Sequence, residues 1–265
     1  MPPTSFLHLD TGAWGRSILR VATSWWFMVH FGAVVLVMAL SPSTYNKAHR
    51  ATTAQYIYTS TWQVLPWFTA MAALLSLVLI RVVVVTALSY GLSQYALQMV
   101  VRVLVLELIP LSAAMFVALR AGLAFNAGAT DLAPPAGTAP APLSLKRLRR
   151  ELVPRVLASA FAVLALAMIS SMIALVLVYL TVYGLSPWGL PGYTRTVGQV
   201  FDLAVTLGFI LKTVFFSLAV AVVPMAASLE TPRQPVNLDT VQPGAVRLFL
   251  VLLLIEAASL AIKYI

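Results

Sequence analysis

Cysteine is absent from all 265 residues, which excludes disulfides and thiolate-bound metal. Histidine is scarce: His8, His30 and His49 are scattered over the N-terminal part, and no HExxH pair occurs, so a zincin site is excluded. GxSxG and GxxxxGK(S/T) are missing as well, so the chain cannot hydrolyse ATP through a P-loop of its own. No nucleophile–base pair or metal cluster is visible on the apolar segments, so neither catalytic nor metal-ligating residues are assigned and no cofactor is expected. Charge is the largest shortage. Only 9% of residues are charged and 61% are hydrophobic, with a mean hydropathy of +0.93, whereas a soluble domain carries roughly 25% charged residues. The chain is therefore expected to be an all-α polytopic membrane protein. Acidic residues number eight against seventeen basic ones, giving a net charge of +9. Because no basic run is interleaved with exposed aromatics, this excess points to basic loops facing anionic lipid and not to nucleic acid.

The chain is read as one membrane domain over 1–265 with about five spans, at 62–88, 97–122, 156–183, 200–225 and 246–263. An N-terminal region, 17–50, holds the apolar stretch 21–40, which has Arg16 and Arg20 on one side and Lys47 and Arg50 on the other. A spanning helix would put one basic flank outside, and Trp25, Trp26 and His30 suit headgroup depth, so an interfacial or half-inserted helix is expected, with a true span as the alternative. No A-x-A site follows this stretch, so a cleaved signal peptide is not expected. The segment 123–155 breaks composition: Pro/Ala/Gly-rich first, then Lys146, Arg147, Arg149, Arg150 and Arg155 in a short stretch, the strongest cytoplasmic marker in the chain. The loops 86–96 and 184–198 carry little charge and are expected outside; the N-terminus is expected inside.

The most informative stretch is VRVLVLELIPLSAAMFVALRAG, with Glu107 deep in an apolar run, Pro110 three residues later and Arg120 near the end. A carboxylate in hydrocarbon is costly unless it faces a cavity or a partner. The proline breaks the helix ladder beside it, which is tolerated where a cavity or neighbouring helix absorbs the freed carbonyl. Lys212 lies in another span with the opposite sign, and an ion pair is one of the few ways to keep both charged. Such a pair either fixes helix register or forms the polar part of a cavity for an amphipathic ligand. Glu256 lies about 13 Å along its helix from the C-terminus and either pairs with a neighbouring helix or joins that polar interior. Arg120, before Gly122, is expected to anchor a helix end at the inner interface.

These motifs, in this order, resemble the MlaE-type permeases that serve MCE-protein lipid transport systems of double-membraned bacteria. The family run LxRELGPVxAALLFAGRAG is matched at Glu107, Leu108, Pro110, Ala113, Ala114, Arg120, Ala121 and Gly122. The basic DPLRRxxxPR stretch is matched at Arg149, Arg150, Pro154 and Arg155, and Lys212 in FILKTVFFSLAVAVV falls on the lysine of LxKxxVFGxxIAxV. Glu256 matches a late acid in the last span, and the resemblance covers about residues 10–264.

The resemblance implies a multi-pass permease subunit of the bacterial inner membrane that pairs as a dimer, with a like or a different permease. It further implies a cytoplasmic ABC ATPase that hydrolyses ATP, a periplasmic MCE-domain protein, and phospholipid moving between the inner membrane and that partner. Glu107, Lys212, Glu256 and Pro110 would line the polar interior, while Arg120, Gly122, Arg149, Arg150 and Arg155 would serve the helix end and the coupling segment. Departures fall at Leu106, Ile109 and above all at TDLAPPAGTAPAPL, residues 130–143, where the family carries a short ATPase-docking helix with Glu and Gln. Prolines forbid that helix here. Either the ATPase docks differently, or the chain is a non-coupled structural subunit that pairs with another permease.

Overall fold

Runs of Leu, Val, Ala and Ile longer than twenty residues leave the backbone no water to bond with in hydrocarbon, so each run must satisfy its own amides as a helix. A computed structural model of the chain describes residues 23, 25–34, 36–37, 47–131, 153–230 and 243–264, and all regular structure among them is helical. A short apolar helix, α1 (Trp25–Val34), is followed by α2 (Lys47–Trp62) and α3 (Leu65–Ser89). Next comes α4, which runs from Ser93 to Asp131 in three consecutive pieces: α-helical Ser93–Val100, π-helical Val101–Leu108 and α-helical Ile109–Asp131. The remaining helices are α5 (Val153–Tyr183), α6 (Leu190–Val200), α7 (Leu203–Glu230) and α8 (Pro243–Tyr264). Five of them are long and apolar enough to cross a membrane, over Leu65–Ser89, Tyr95–Ala121, Pro154–Tyr183, Leu203–Ala227 and Gly244–Lys263. The protein is thus an all-α polytopic membrane protein. Residues 23 and 36–37, on either side of α1, are helical as well, and the rest of the 17–50 region before Lys47 lies outside the described residues.

Prolines and glycines punctuate the helices. Pro66 occupies the first turn of α3, where no intrahelical donor is lost. Gly91, at φ +71°, turns the chain from α3 into α4, and Gly184, at φ +68°, ends α5; both conformations are ones a Cβ disfavours. Residues 184–198, expected as a loop, instead contain a turn of 3-10 helix (Pro187–Gly189) and α6. Pro187 and Pro191 sit in first turns, so they start these helices instead of breaking them.

Central in the bundle, α5 packs against α2, α3, α4 and α7, and α7 in turn packs against α4 and α8. Small side chains make this possible: Ala113 and Ala114 on α4, Ala162 and Ala167 on α5, and Ala219 and Ala221 on α7 are all buried. Without a hydrophobic drive between helices in lipid, such residues let backbones approach for van der Waals contact. The buried side chains form two clusters, one around Ala113, Leu166 and Phe216, the other around Val101, Leu104, Ala174 and Phe209. By contrast α3 and α8 turn most of their surface outward, with Leu74, Leu75 and Val78 on one and Phe249, Leu253 and Leu254 on the other.

Candidate functional site: an ion chain across three spans

The site begins with Pro110. Lacking an N–H, it cannot close the helical bond to the carbonyl four residues back, which belongs to Leu106. The helix immediately before it is π-wound from Val101 to Leu108, and the Ile109 amide reaches the Leu104 carbonyl five residues back. Such windings are rare and concentrate at functional sites. The Leu106 carbonyl instead accepts from the Lys212 ammonium of α7 at 3.4 Å.

Around that ammonium three spans meet. Lys212 forms an ion pair with Glu107 of α4 and a second with Glu256 of α8, at 2.7 Å. Its Nζ also lies 5.6 Å from the ring centroid of Phe216, within reach of a cation–π attraction. The other carboxylate oxygen of Glu107 accepts from Lys263 Nζ at 2.9 Å. Two acids and two bases therefore form one alternating chain, Lys263–Glu107–Lys212–Glu256, with no net charge. Neutral pairing is what allows ionised groups to persist at this depth. The Lys212 side chain is 2% exposed, against 16% for Glu107 and Glu256 and 19% for Lys263.

Helical periodicity explains the convergence. On α7, Phe209, Lys212, Thr213, Phe216 and Ser217 are buried on one stripe. On α8, Leu248, Leu252, Glu256 and Lys263 follow one stripe at the spacing of 3.6 residues per turn. The ion chain lies between the two hydrophobic clusters, since Leu106 and Phe209 belong to one and Ala113 and Phe216 to the other. Apolar surface flanks it: Val103 and Leu108 of α4 and Leu207, Ile210 and Leu211 of α7 are exposed. Beside Glu107 a shallow apolar cleft lies between α3 and α4, lined by Leu79, Val83, Val100, Val103, Leu104 and Leu108, with a cavity volume of only about 30 Å³, far below the ~300–1,000 Å³ that encloses a small ligand.

The end of the bundle nearest the ion chain is capped by α6, which packs on the first two pieces of α4. Tyr179, Tyr183 and Tyr193 form an aromatic triad, with centroids 5.2 to 6.3 Å apart, that ties α6 to α5. The Tyr193 hydroxyl donates to the Leu175 carbonyl at 2.8 Å and that of Tyr179 to the Ser186 carbonyl at 2.6 Å. Burial pushes the Tyr193 phenol up from 10.0 to about 12. Gly189 is required here, because a Cβ would meet the Tyr183 ring at 2.6 Å.

Of the residues singled out from sequence, the structure thus brings Glu107, Lys212 and Glu256 together, with Pro110 one turn from Glu107. Arg120 is partly buried on α4, thirteen residues and roughly 20 Å beyond Glu107, towards the opposite end of the bundle. Gly122 continues that helix. Arg155 is exposed in the first turn of α5, while Arg149 and Arg150 and most of 130–143 lie outside the described residues. Lys263 was missed by the sequence reading, although its seven-residue spacing from Glu256 places both on one helix face. Ser170 and Ser171 are buried on α5, and their hydroxyls find no hydrogen-bond partner among the described residues.

Comparison with known proteins adds a family. The family model described as Permease MlaE matches residues 53–262, a stretch that contains all five spans but the last residue, and includes Glu107, Lys212 and Glu256. No curated protein matches the chain.

Proposed function

Because this chain belongs to the MlaE permease family, a family of membrane transport subunits and not of enzymes, we propose that it is the permease of a lipid transport system whose cargo is held at the Lys263–Glu107–Lys212–Glu256 chain. The carrying observation is that chain itself: four ionisable side chains from three spans, two acids and two bases, with exposed apolar residues on either side. A lipid has the same two-part chemistry. Its headgroup matches the polar chain, and its tails match Val103, Leu108, Leu207 and Ile210. The α3–α4 cleft, at about 30 Å³, is far too small for a lipid, which favours a second permease completing the cavity across an outward apolar face.

In this reading a separate cytoplasmic ATPase drives the two permeases between open and collapsed states. The α6 end faces the periplasm of a double-membraned bacterium and meets an MCE-domain protein, which receives phospholipid from the inner membrane or delivers it there. The N-terminus is cytoplasmic. The basic segment before α5 and the inner ends of α4 and α7 then face the ATPase.

The test is purification of the tagged full-length chain from its native host in nanodiscs, followed by native mass spectrometry of what accompanies it. An ATPase and an MCE-type protein with bound phospholipid are expected. An MCE protein without an ATPase would favour the non-coupled structural subunit that the proline-rich segment 130–143 allows. Neither partner would overturn the transport assignment.

A further inference from the structure

The two hydrophobic clusters change over at a polar level in each helix they share. On α3, buried Ser76 lies one turn from Ala72 of the cluster around Phe216 and one turn from Ile80 of the cluster around Phe209. On α7, Lys212 and Thr213 fall between Phe209 and Phe216 themselves. On α4, Glu107 and Pro110 mark the change from Leu106 and Ile109 to Ala113. On α5 the change runs from Leu166 and Ala167 to Ala174, and Ser170 and Ser171 fill it. A polar layer therefore crosses the bundle, and the ion chain is the part of it drawn from α4, α7 and α8. The central helix α5, which packs against α4 and α7, gives that chain no residue and brings its two serines instead.

Those serines behave unlike other hydroxyls of the spans. Thr69, Thr181 and Thr213 each donate to the carbonyl four residues back at 2.7 Å, and Ser112 and Ser217 donate to the carbonyl three back, the usual local bond of such residues in a helix. Ser170 and Ser171 have the Leu166 and Ala167 carbonyls at the same spacing and donate to neither; among the described residues their hydroxyls have no partner, although the residues are only 3% and 6% exposed. A bare hydroxyl in a low-dielectric interior is costly. Successive residues of a helix are rotated by about 100°, so the two hydroxyls leave α5 in different directions. Charge at this level selects what completes them. A cation would meet the Lys212 ammonium, and an anion would meet the Glu107 and Glu256 carboxylates. The ligand is then neutral, both donates and accepts, and is small enough to lie between packed helices. Water has this chemistry, and internal waters make about three hydrogen bonds each. The neighbours of the serines on the same stripe, Ala167 and Ala174, bring no long side chain into the space. We infer that Ser170 and Ser171 form an internal water site, which hydrates the polar layer, and with it the ion chain, from the centre of the bundle. The inference rests on the packing of the interior and not on the identity of any cargo.

The chain has no cysteine, so a single introduced thiol reports alone. Ser170→Cys and Ser171→Cys are made singly in the full-length chain in nanodiscs and treated with methyl methanethiosulfonate. This reagent is small, uncharged and soluble in hydrocarbon, so it arrives without water, but only a thiolate attacks it, and apolar burial suppresses the thiolate. Two variants set the dry rate: Met172→Cys, at a residue 67% exposed on the outside of α5, and Ala174→Cys, buried in the apolar cluster one turn on. At least one serine position is expected to react about a hundredfold faster than both, the effect of water on thiolate formation. If neither reacts faster, the hydroxyls are dry or turned back on the Leu166 and Ala167 carbonyls, and the inference is overturned. A second measurement needs no cysteine variant to fold. In S170A/S171A the water loses its anchors, and the melting midpoint is expected to fall by several degrees. Bare hydroxyls would instead be replaced to advantage and raise the midpoint, and back-bonded ones would leave it unchanged; either outcome overturns the water site.

Discussion

Lys212 carries more of the site's stability than any other residue in it, because both carboxylates lean on it. Substituting Lys212→Met leaves Glu107 with Lys263 but takes from Glu256 its partner at 2.7 Å. Removing one member of a buried pair costs about 3–5 kcal/mol, most of it the penalty of the charge left behind. A clearly lowered melting midpoint is expected for full-length Lys212→Met in detergent. Adding Glu256→Gln should recover most of the loss, since a neutral amide needs no cation, while lipid transport stays low in both variants. If the double variant melts no higher than the single one, the destabilisation comes from lost packing around Phe216 and not from stranded charge. At this scale the sequence was partly legible. Glu107 and Lys212 lie in different apolar runs with opposite signs, and mutual pairing is one of few outcomes open to them. Lys263 escaped because a lysine at a helix end has an easier fate, snorkelling to the interface. Only its seven-residue register with Glu256 distinguishes it.

Two elements shape the site: the π-wound piece of α4, which supplies Glu107, and α6, which caps the nearer end of the bundle. The π-wound piece of α4 directs the Leu106 carbonyl and the Glu107 carboxylate to the same lysine. Pro110→Ala returns the missing N–H, which can then compete with Lys212 for the Leu106 carbonyl and favour α-winding. The expected result is an unchanged or higher melting midpoint with lipid transport reduced severalfold. Undiminished transport would show that the winding is dispensable. The second element, α6, is fixed to α5 through the tyrosine triad. Because the Tyr193 phenol is raised from 10.0 to about 12, its neutral form is the one the fold holds. This contribution is present in full below pH 10 and is lost as the pH rises through about 12. Amide exchange in α6 should therefore be flat up to pH 10, after correction for intrinsic rates, and accelerate above it. In Gly189→Ala, whose Cβ would meet the Tyr183 ring at 2.6 Å, protection of α6 should already be reduced at neutral pH. Pro110 announced an irregular helix in the sequence, though not its winding. The segment GLSPWGLPGYTRTVG concealed α6, because Gly and Pro mark loops unless they fall in first turns, as Pro187 and Pro191 do here.

Over the whole molecule, hydropathy was sufficient for the five long apolar helices and the all-α class, because in hydrocarbon a helix is the one local solution to backbone pairing. It could not reveal which helices touch: uniformly apolar spans carry little amphipathic signal, and the central place of α5 follows from alanines and from contacts distant in sequence. Orientation follows from charge asymmetry. The end bearing α6 has Arg195 in an otherwise uncharged stretch, whereas the segment before α5 and its first turn concentrate Lys146, Arg147, Arg149, Arg150 and Arg155, which predicts that this second end faces the cytoplasm. The absence of cysteine makes the test clean, since every thiol in a single-cysteine variant is the introduced one. Trp188 is 90% exposed at the α6 end, and Arg155 is exposed at the other. In intact spheroplasts a membrane-impermeant maleimide is expected to label Trp188→Cys, and to label Arg155→Cys only after the membrane is permeabilised. The opposite pattern would invert the protein. Lys263 and the ion chain would then open towards the cytoplasmic leaflet, and an MCE-domain protein at the α6 end would have no periplasmic surface to meet.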